Sequence, residues 1–174
     1  NTSLPAAYFD RMYAGDRDPW GFESRWYERR KYDVTLASLP HASYPRALEI
    51  GCSIGVFTAM LAPRCDELLA VDVSAAAVVA AQERLVGDPH VEVRQLAVPA
   101  DWPDGRFDLI VLSEVGYYFD RPELDQLLQQ IRDSLTADGA VVAVHWRHPV
   151  ADYPLSGDDV HGRIAAVDGL ETMD

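Results

Sequence analysis

The chain has 174 residues, 48% of them hydrophobic and 25% charged, a balance suited to one soluble domain with a substantial core and unlike that of a disordered chain. No apolar run reaches the about 18 residues that cross a bilayer, residues 1–20 lack the apolar stretch of a signal peptide, and two cysteines are too few for a disulfide framework or a zinc cluster. A net charge of −13 with only 15 lysines and arginines excludes a basic surface for phosphate backbones, so the expectation is a cytoplasmic protein with reduced thiols, no metal, no nucleic-acid or membrane partner, and a small-molecule substrate.

Lys31 is the single lysine, a bias read as coding composition without bearing on function. In chain order, residues 15–20 read as a loop. Ser24 to Leu39, which carries Trp26, Tyr27, Arg30, Val34 and Leu36 to Leu39, reads as an amphipathic helix. Short runs rich in Val, Leu and Ile then predict strands at 46–50, 68–72, 91–96, 107–112 and 140–145. Between them, helical periodicity covers 55–62, 74–85 and 122–135, with Ser74 as N-cap and Gly87 and Gly139 just past helix ends.

Strand and helix alternate, and parallel strands joined by helical crossovers make an α/β, Rossmann-like, doubly wound, mainly parallel sheet whose ligands bind at the carboxyl ends of the strands. The expected organisation is one domain over residues 1–174. Residues 1–44 form a helical extension or lid, 45–149 the cofactor-binding core, and 150–174 a loop and helix. Only residues 150–174 follow the fifth strand, and the first residue is Asn rather than Met, so a longer parent chain, a helix at 158–167 or a partner chain are the three ways to cover the sheet edge.

Gly51-x-Ser53-x-Gly55 follows the first strand and opens a helix, where glycine permits close backbone approach to a ligand. The dinucleotide pattern GxGxxG fits poorly, because Ser53 stands in the middle and Val56-Phe57 follow, which disfavours a nicotinamide oxidoreductase. Glu49-x-Gly51 through Gly55, with Asp72 ending the second strand, instead resembles the class I S-adenosylmethionine-dependent methyltransferases. Phe107 to Val115 resembles their fourth-strand motif. Singly, these features are a tight turn and a helix cap; jointly, in register, they point to a nucleoside-bearing ligand.

Three further segments narrow the likeness. Asp16 to Glu23, Tyr27 to Tyr32, and Ser113-Glu114-Val115-Gly116-Tyr117-Tyr118 resemble the nodulation-protein-S-like methyltransferases, over roughly residues 8 to 165. That resemblance implies S-adenosyl-L-methionine as methyl donor and an amine acceptor on an amino sugar or chitooligosaccharide. It implies that Asp72 holds the ribose and Glu49 the cationic methionine end. Gly51, Cys52, Ser53 and Gly55 form the turn beneath the cofactor, and Ser113, Glu114 and Val115 the pocket wall. Trp20 and Arg29, or its neighbour Arg30, would close on the methionine carboxylate. The acidic residue often found after the third strand is absent, with Ala97 in its place, so Val73 and Val98 would sandwich the adenine unless Asp101 substitutes.

An amine must be neutral to attack, so a base is sought at the ends of strands four and five, where Glu114 and His145 are the catalytic candidates. Tyr117, Tyr118 and His148 would border the substrate, with Asp152, Tyr153 and His161 in the following loop. Transfer to oxygen, or a binding module without catalysis, are the alternatives.

Overall fold

The computed structural model describes residues 2–173; Asn1 and Asp174, the ends of the predicted domain, lie outside the described residues. Five parallel strands form one sheet in the order β3-β2-β1-β4-β5: β1 Tyr44–Ile50, β2 Cys65–Asp72, β3 Val91–Gln95, β4 Phe107–Ser113 and β5 Leu135–Val144. The order reverses between β1 and β4, and the crevice at the carboxyl ends of the strands opens there.

Alternation along the strands divides the core between the two faces. Leu48, Ile50, Ile110 and Leu112 pack under α5 (Arg121–Ser134) through Leu124, Leu127, Leu128 and Ile131. Those four positions repeat at i, i+3, i+4 and i+7, and each fully buried side chain contributes about 1.5–3 kcal/mol. Ala47, Leu68, Leu109 and Val111 face the other way, toward Tyr32 of α2 (Trp26–Ser38) and Phe57 and Leu61 of α3 (Val56–Leu61). On that same side α4 (Ala75–Arg84) covers Ala70 and Val93 with Val78 and Ala81.

The α5 start follows its sequence signal: the Asp120 carboxylate accepts the Glu123 N–H at 3.1 Å, with Pro122 in the first turn. Ser74 departs from its signal. Its hydroxyl caps nothing and instead donates to Asp10 Oδ1 of α1 (Ala6–Gly15) at 3.0 Å. Gly139 lies within β5 rather than after a helix, because residues 136–139 bulge between the Phe107–Leu135 and Leu109–Ala140 pairs.

The helix expected over residues 24–39 forms as α2, with its inward face set by other residues than the exposed apolar ones. Trp26 and Val34 are exposed, and the inward face carries Glu28, Tyr32 and Thr35. Residues 158–167 do hold a helix, α6 (Gly157–Ile164), opened by a capping box between Ser156 and Asp159. It packs on the Gly116–Tyr118 turn and α5, while β5 remains an outer strand among the described residues. No described helix is long and apolar enough to cross a membrane.

Candidate active site

A cavity of about 690 Å³ lies at the switch point, beneath α1 and α2. Its floor is the turn after β1. Gly51 has φ +76°, and a Cβ there would meet Val115 Cγ2 at 2.1 Å, so only glycine leaves this cradle open. Ser53 also takes a positive φ, +51°, which a non-glycine residue adopts at a cost of about 1–3 kcal/mol. Two contacts offset that strain: its N–H donates to Asp72 Oδ2 at 2.8 Å, and its hydroxyl pairs with Tyr13 Oη of α1 at 2.6 Å. The serine that departs from the usual glycine thus fastens α1 across the turn.

Asp72, at the end of β2, accepts from the Ser53 and Ser74 N–H groups, so it orders the turn as well as facing the cavity. Each carboxylate oxygen retains a second lone pair for a hydroxyl. Burial raises its pKa, against these backbone bonds. Glu49 lines the cavity from β1, is 3% exposed, and its Oε2 has no hydrogen-bond partner; burial pushes its carboxyl up to about 8. A buried carboxyl with an unpartnered oxygen beside an open space is stabilised by a cation or a hydrogen-bond donor that reaches it.

Cys52, Ser53, Val73, Ala97, Val98, Ser113, Glu114 and Val115 also line the cavity, as does Trp20, stacked on Phe22 at 5.7 Å between ring centres. The loop that presents Trp20 is shaped by Asp18, whose carboxylate accepts the N–H groups of Phe22 and Glu23 at 2.8 and 2.9 Å. Gly55 lies outside the lining. It holds φ +75° at the start of α3 and packs against Ala81, so it serves the turn and the helix contact. Asp101 is outside as well, its N–H donating to the Ala97 carbonyl.

Arg29 is a correction. It is exposed and paired with Asp33 at 3.3 Å on the outer face of α2, whereas Arg25 and Lys31 line the cavity. The single lysine, read as compositional, is therefore a wall residue. Arg30, too, is exposed and outside the lining.

At the opposite wall Glu114 holds φ +58° after β4. Its Oε1 accepts from Lys31 Nζ at 3.1 Å; its Oε2 accepts from the Trp146 N–H at 2.9 Å and from the Tyr117 hydroxyl. Tyr117 stacks on Tyr153 with 4.8 Å between centres, and Tyr118 meets both rings edge-on. All three tyrosines line the cavity.

The two histidines move out of the site. His145 is 8% exposed and does not line the cavity; its Nε2 accepts the Gly116 N–H at 3.0 Å and its Nδ1 faces His161 Nε2 at 3.2 Å. Both ring nitrogens are engaged, and burial pushes its pKa down to about 3, so it is a structural brace rather than a base. His148 is exposed, tilted against Trp146, and away from the cavity. Both cysteines are free and buried.

Residues that sequence reasoning missed are Phe9 and Tyr13 of α1, Arg25, and Glu28 and Lys31 of α2. The spacing of Tyr8, Phe9, Met12 and Tyr13 was an available helical signal; for Glu28 and Lys31 there was none, since charged residues on a helix ordinarily face solvent.

Residues 10–152 match the model of the family described as Nodulation protein S (NodS). The Nodulation protein S of Rhizobium tropici is 36% identical over 63% of this chain and 46% of its own length. That of Bradyrhizobium diazoefficiens is 32% identical over 72% and 61%. The chain thus spans about half to three-fifths of the curated relatives it matches. Among solved structures, the N-methyltransferase NodS of Bradyrhizobium japonicum WM9 in complex with S-adenosyl-L-homocysteine has a TM-score of 0.74 and 30% identity, covering 79% of this chain and 71% of that one. A candidate methyltransferase from Pseudomonas syringae has a TM-score of 0.75 and 42% identity, covering 84% and 89%. The sheet, its parallel order and its switch-point cavity are the class I methyltransferase fold of these structures, and the chain belongs to the Nodulation protein S family.

Proposed function

We propose that this chain is an S-adenosyl-L-methionine-dependent methyltransferase that methylates an amine nitrogen of a small molecule, of the amino-sugar class. The observation that carries the reading is one cavity with Gly51, Glu49 and Asp72 on one wall and Glu114 with three tyrosines on another. The open Gly51 cradle and the unpartnered Glu49 carboxyl fit the donor. Asp72 would take the ribose hydroxyls, Glu49 the amino group of the methionine end, and Arg25 its carboxylate, while Val73, Ala97 and Val98 border the base.

The donor supplies a methyl already activated on a sulfonium, so the protein's part is alignment and exclusion of water. Glu114 serves by orienting the acceptor: three donors fix its carboxylate at the wall, which suits holding an amine more than shuttling its proton. Tyr27 and Trp146, edge-on at 5.4 Å and both partly exposed at the mouth, support a sugar-like acceptor, since aromatic faces pack against the apolar faces of pyranose rings. The 30% identity to a structure named as an N-methyltransferase, in complex with S-adenosyl-L-homocysteine, supports nitrogen as the accepting atom.

The test is titration calorimetry of S-adenosyl-L-methionine and S-adenosyl-L-homocysteine against the intact chain and Asp72→Ala, followed by incubation with glucosamine oligomers and mass spectrometry for one added methyl. Binding that weakens at least about tenfold in Asp72→Ala is expected. No binding by the intact chain removes the donor assignment, and binding without methylation of any amino sugar removes the acceptor.

A further inference from the structure

Lys31 is held at the cavity wall between carboxylates and aromatic rings. Its side chain is 9% exposed; its Nζ lies 2.5 Å from Glu28 Oε2 and 3.1 Å from Glu114 Oε1. The rings of Phe22, Tyr27 and Tyr32 surround it, with centres 5.7, 6.0 and 5.3 Å away. Glu28 and Lys31 share one face of α2 three residues apart, and Glu114 reaches them from the end of β4. All three line the cavity.

Two carboxylates against one ammonium leave one negative charge at this wall. Glu28 is 8% exposed, and its buried Oε2 makes no aligned hydrogen bond despite the close ion pair. Such a charge is unfavourable unless a further cation enters the cavity. Glu114 cannot turn away, because the Trp146 N–H and the Tyr117 hydroxyl hold its other oxygen. Glu28, Tyr32, Glu49 and Glu114 line the same cavity, which therefore also holds the carboxyl assigned to the donor's methionine end.

We propose that Glu28, Lys31 and Glu114 form the subsite on which the acceptor docks in its ammonium form, the proton passing to solvent water before the neutral nitrogen attacks, with Lys31 as an internal counter-ion that sets the subsite at one negative charge rather than two. This rests on the methyltransferase reading above. Lys31 is a positioning residue, acting through the charge and orientation of Glu114.

The charge arithmetic makes the test. The intact chain and its variants are saturated with S-adenosyl-L-homocysteine, and the affinities of D-glucosamine and of uncharged N-acetyl-D-glucosamine are compared by tryptophan fluorescence. The intact chain is expected to prefer the ammonium by about tenfold, the scale of one charge pair in a partly solvated site. Glu28→Gln, with no net charge, loses that preference. Glu28→Gln with Lys31→Met returns the subsite to one negative charge and restores it, and Lys31→Met alone increases it. An ammonium preference that is absent in the intact chain, survives in Glu28→Gln, or stays lost in a double variant that still binds S-adenosyl-L-homocysteine overturns the proposal. Failure of the intact chain to bind S-adenosyl-L-homocysteine defeats the donor reading instead.

Discussion

Replacing Glu49 by Gln should change how donor binding depends on pH. In the free protein, burial raises the Glu49 carboxyl from 4.5 to about 8. At about 1.4 kcal/mol per unit, ionising it inside the fold opposes about 5 kcal/mol in total. At pH 7 it is mostly protonated, so an incoming ammonium that needs the carboxylate works against about one unit, a factor of about ten. Donor affinity should therefore strengthen about tenfold per unit from pH 5 to pH 8 and then level off. Binding at pH 7 should release close to one proton, visible as a calorimetric heat that varies with the ionisation enthalpy of the buffer. In Glu49→Gln that proton release should vanish. Asp72 is shifted in the same direction, so the difference between the two proteins isolates Glu49. The sign for stability follows: the folded state holds the proton more tightly, so the stability Glu49 contributes is full below about 4.5 and is lost as pH rises through about 8. Equal pH slopes in both proteins, or a buffer-independent heat in the intact chain, would refute the reasoning.

Gly51→Ala should lower stability by about 1–3 kcal/mol from its positive φ alone, with more from displacing Val115; an unchanged urea midpoint would contradict the cradle. His145, pushed down to about 3, contributes stability that is full above its ordinary value of 6.5 and is lost as pH falls toward 3, by up to about 1.4 kcal/mol per unit. Urea midpoints at pH 7 and pH 5 should thus diverge more in the intact chain than in His145→Gln, and identical divergence would remove the assignment. Arg29→Ala, which breaks only an exposed pair with Asp33, should leave S-adenosyl-L-homocysteine affinity within about twofold, whereas Arg25→Ala should weaken it about tenfold. The reverse order, measured by calorimetry, would return the carboxylate to Arg29.

The inner strands β1, β2 and β4 were legible because a parallel strand covered on both sides writes a short continuous apolar run, as at Leu68 to Val71 and Leu109 to Leu112. The turn at Gly51 and the acid at Asp72 were legible for a related reason: backbone geometry and strand-end position constrain residue type locally. Side-chain roles set by distant partners were not. Arg29 and Lys31 look interchangeable in sequence, yet two residues apart on a helix they stand about 200° apart, and only docking of α2 over the cavity decides which one enters. His145 reads as a base until the Gly116 N–H and His161 occupy both its nitrogens. Local sequence thus determined the sheet and the donor turn, since apolar periodicity and allowed φ are properties of a few consecutive residues. The charge of the acceptor wall was decided by tertiary structure alone, because Glu28, Lys31 and Glu114 meet only when α2 closes against the end of β4.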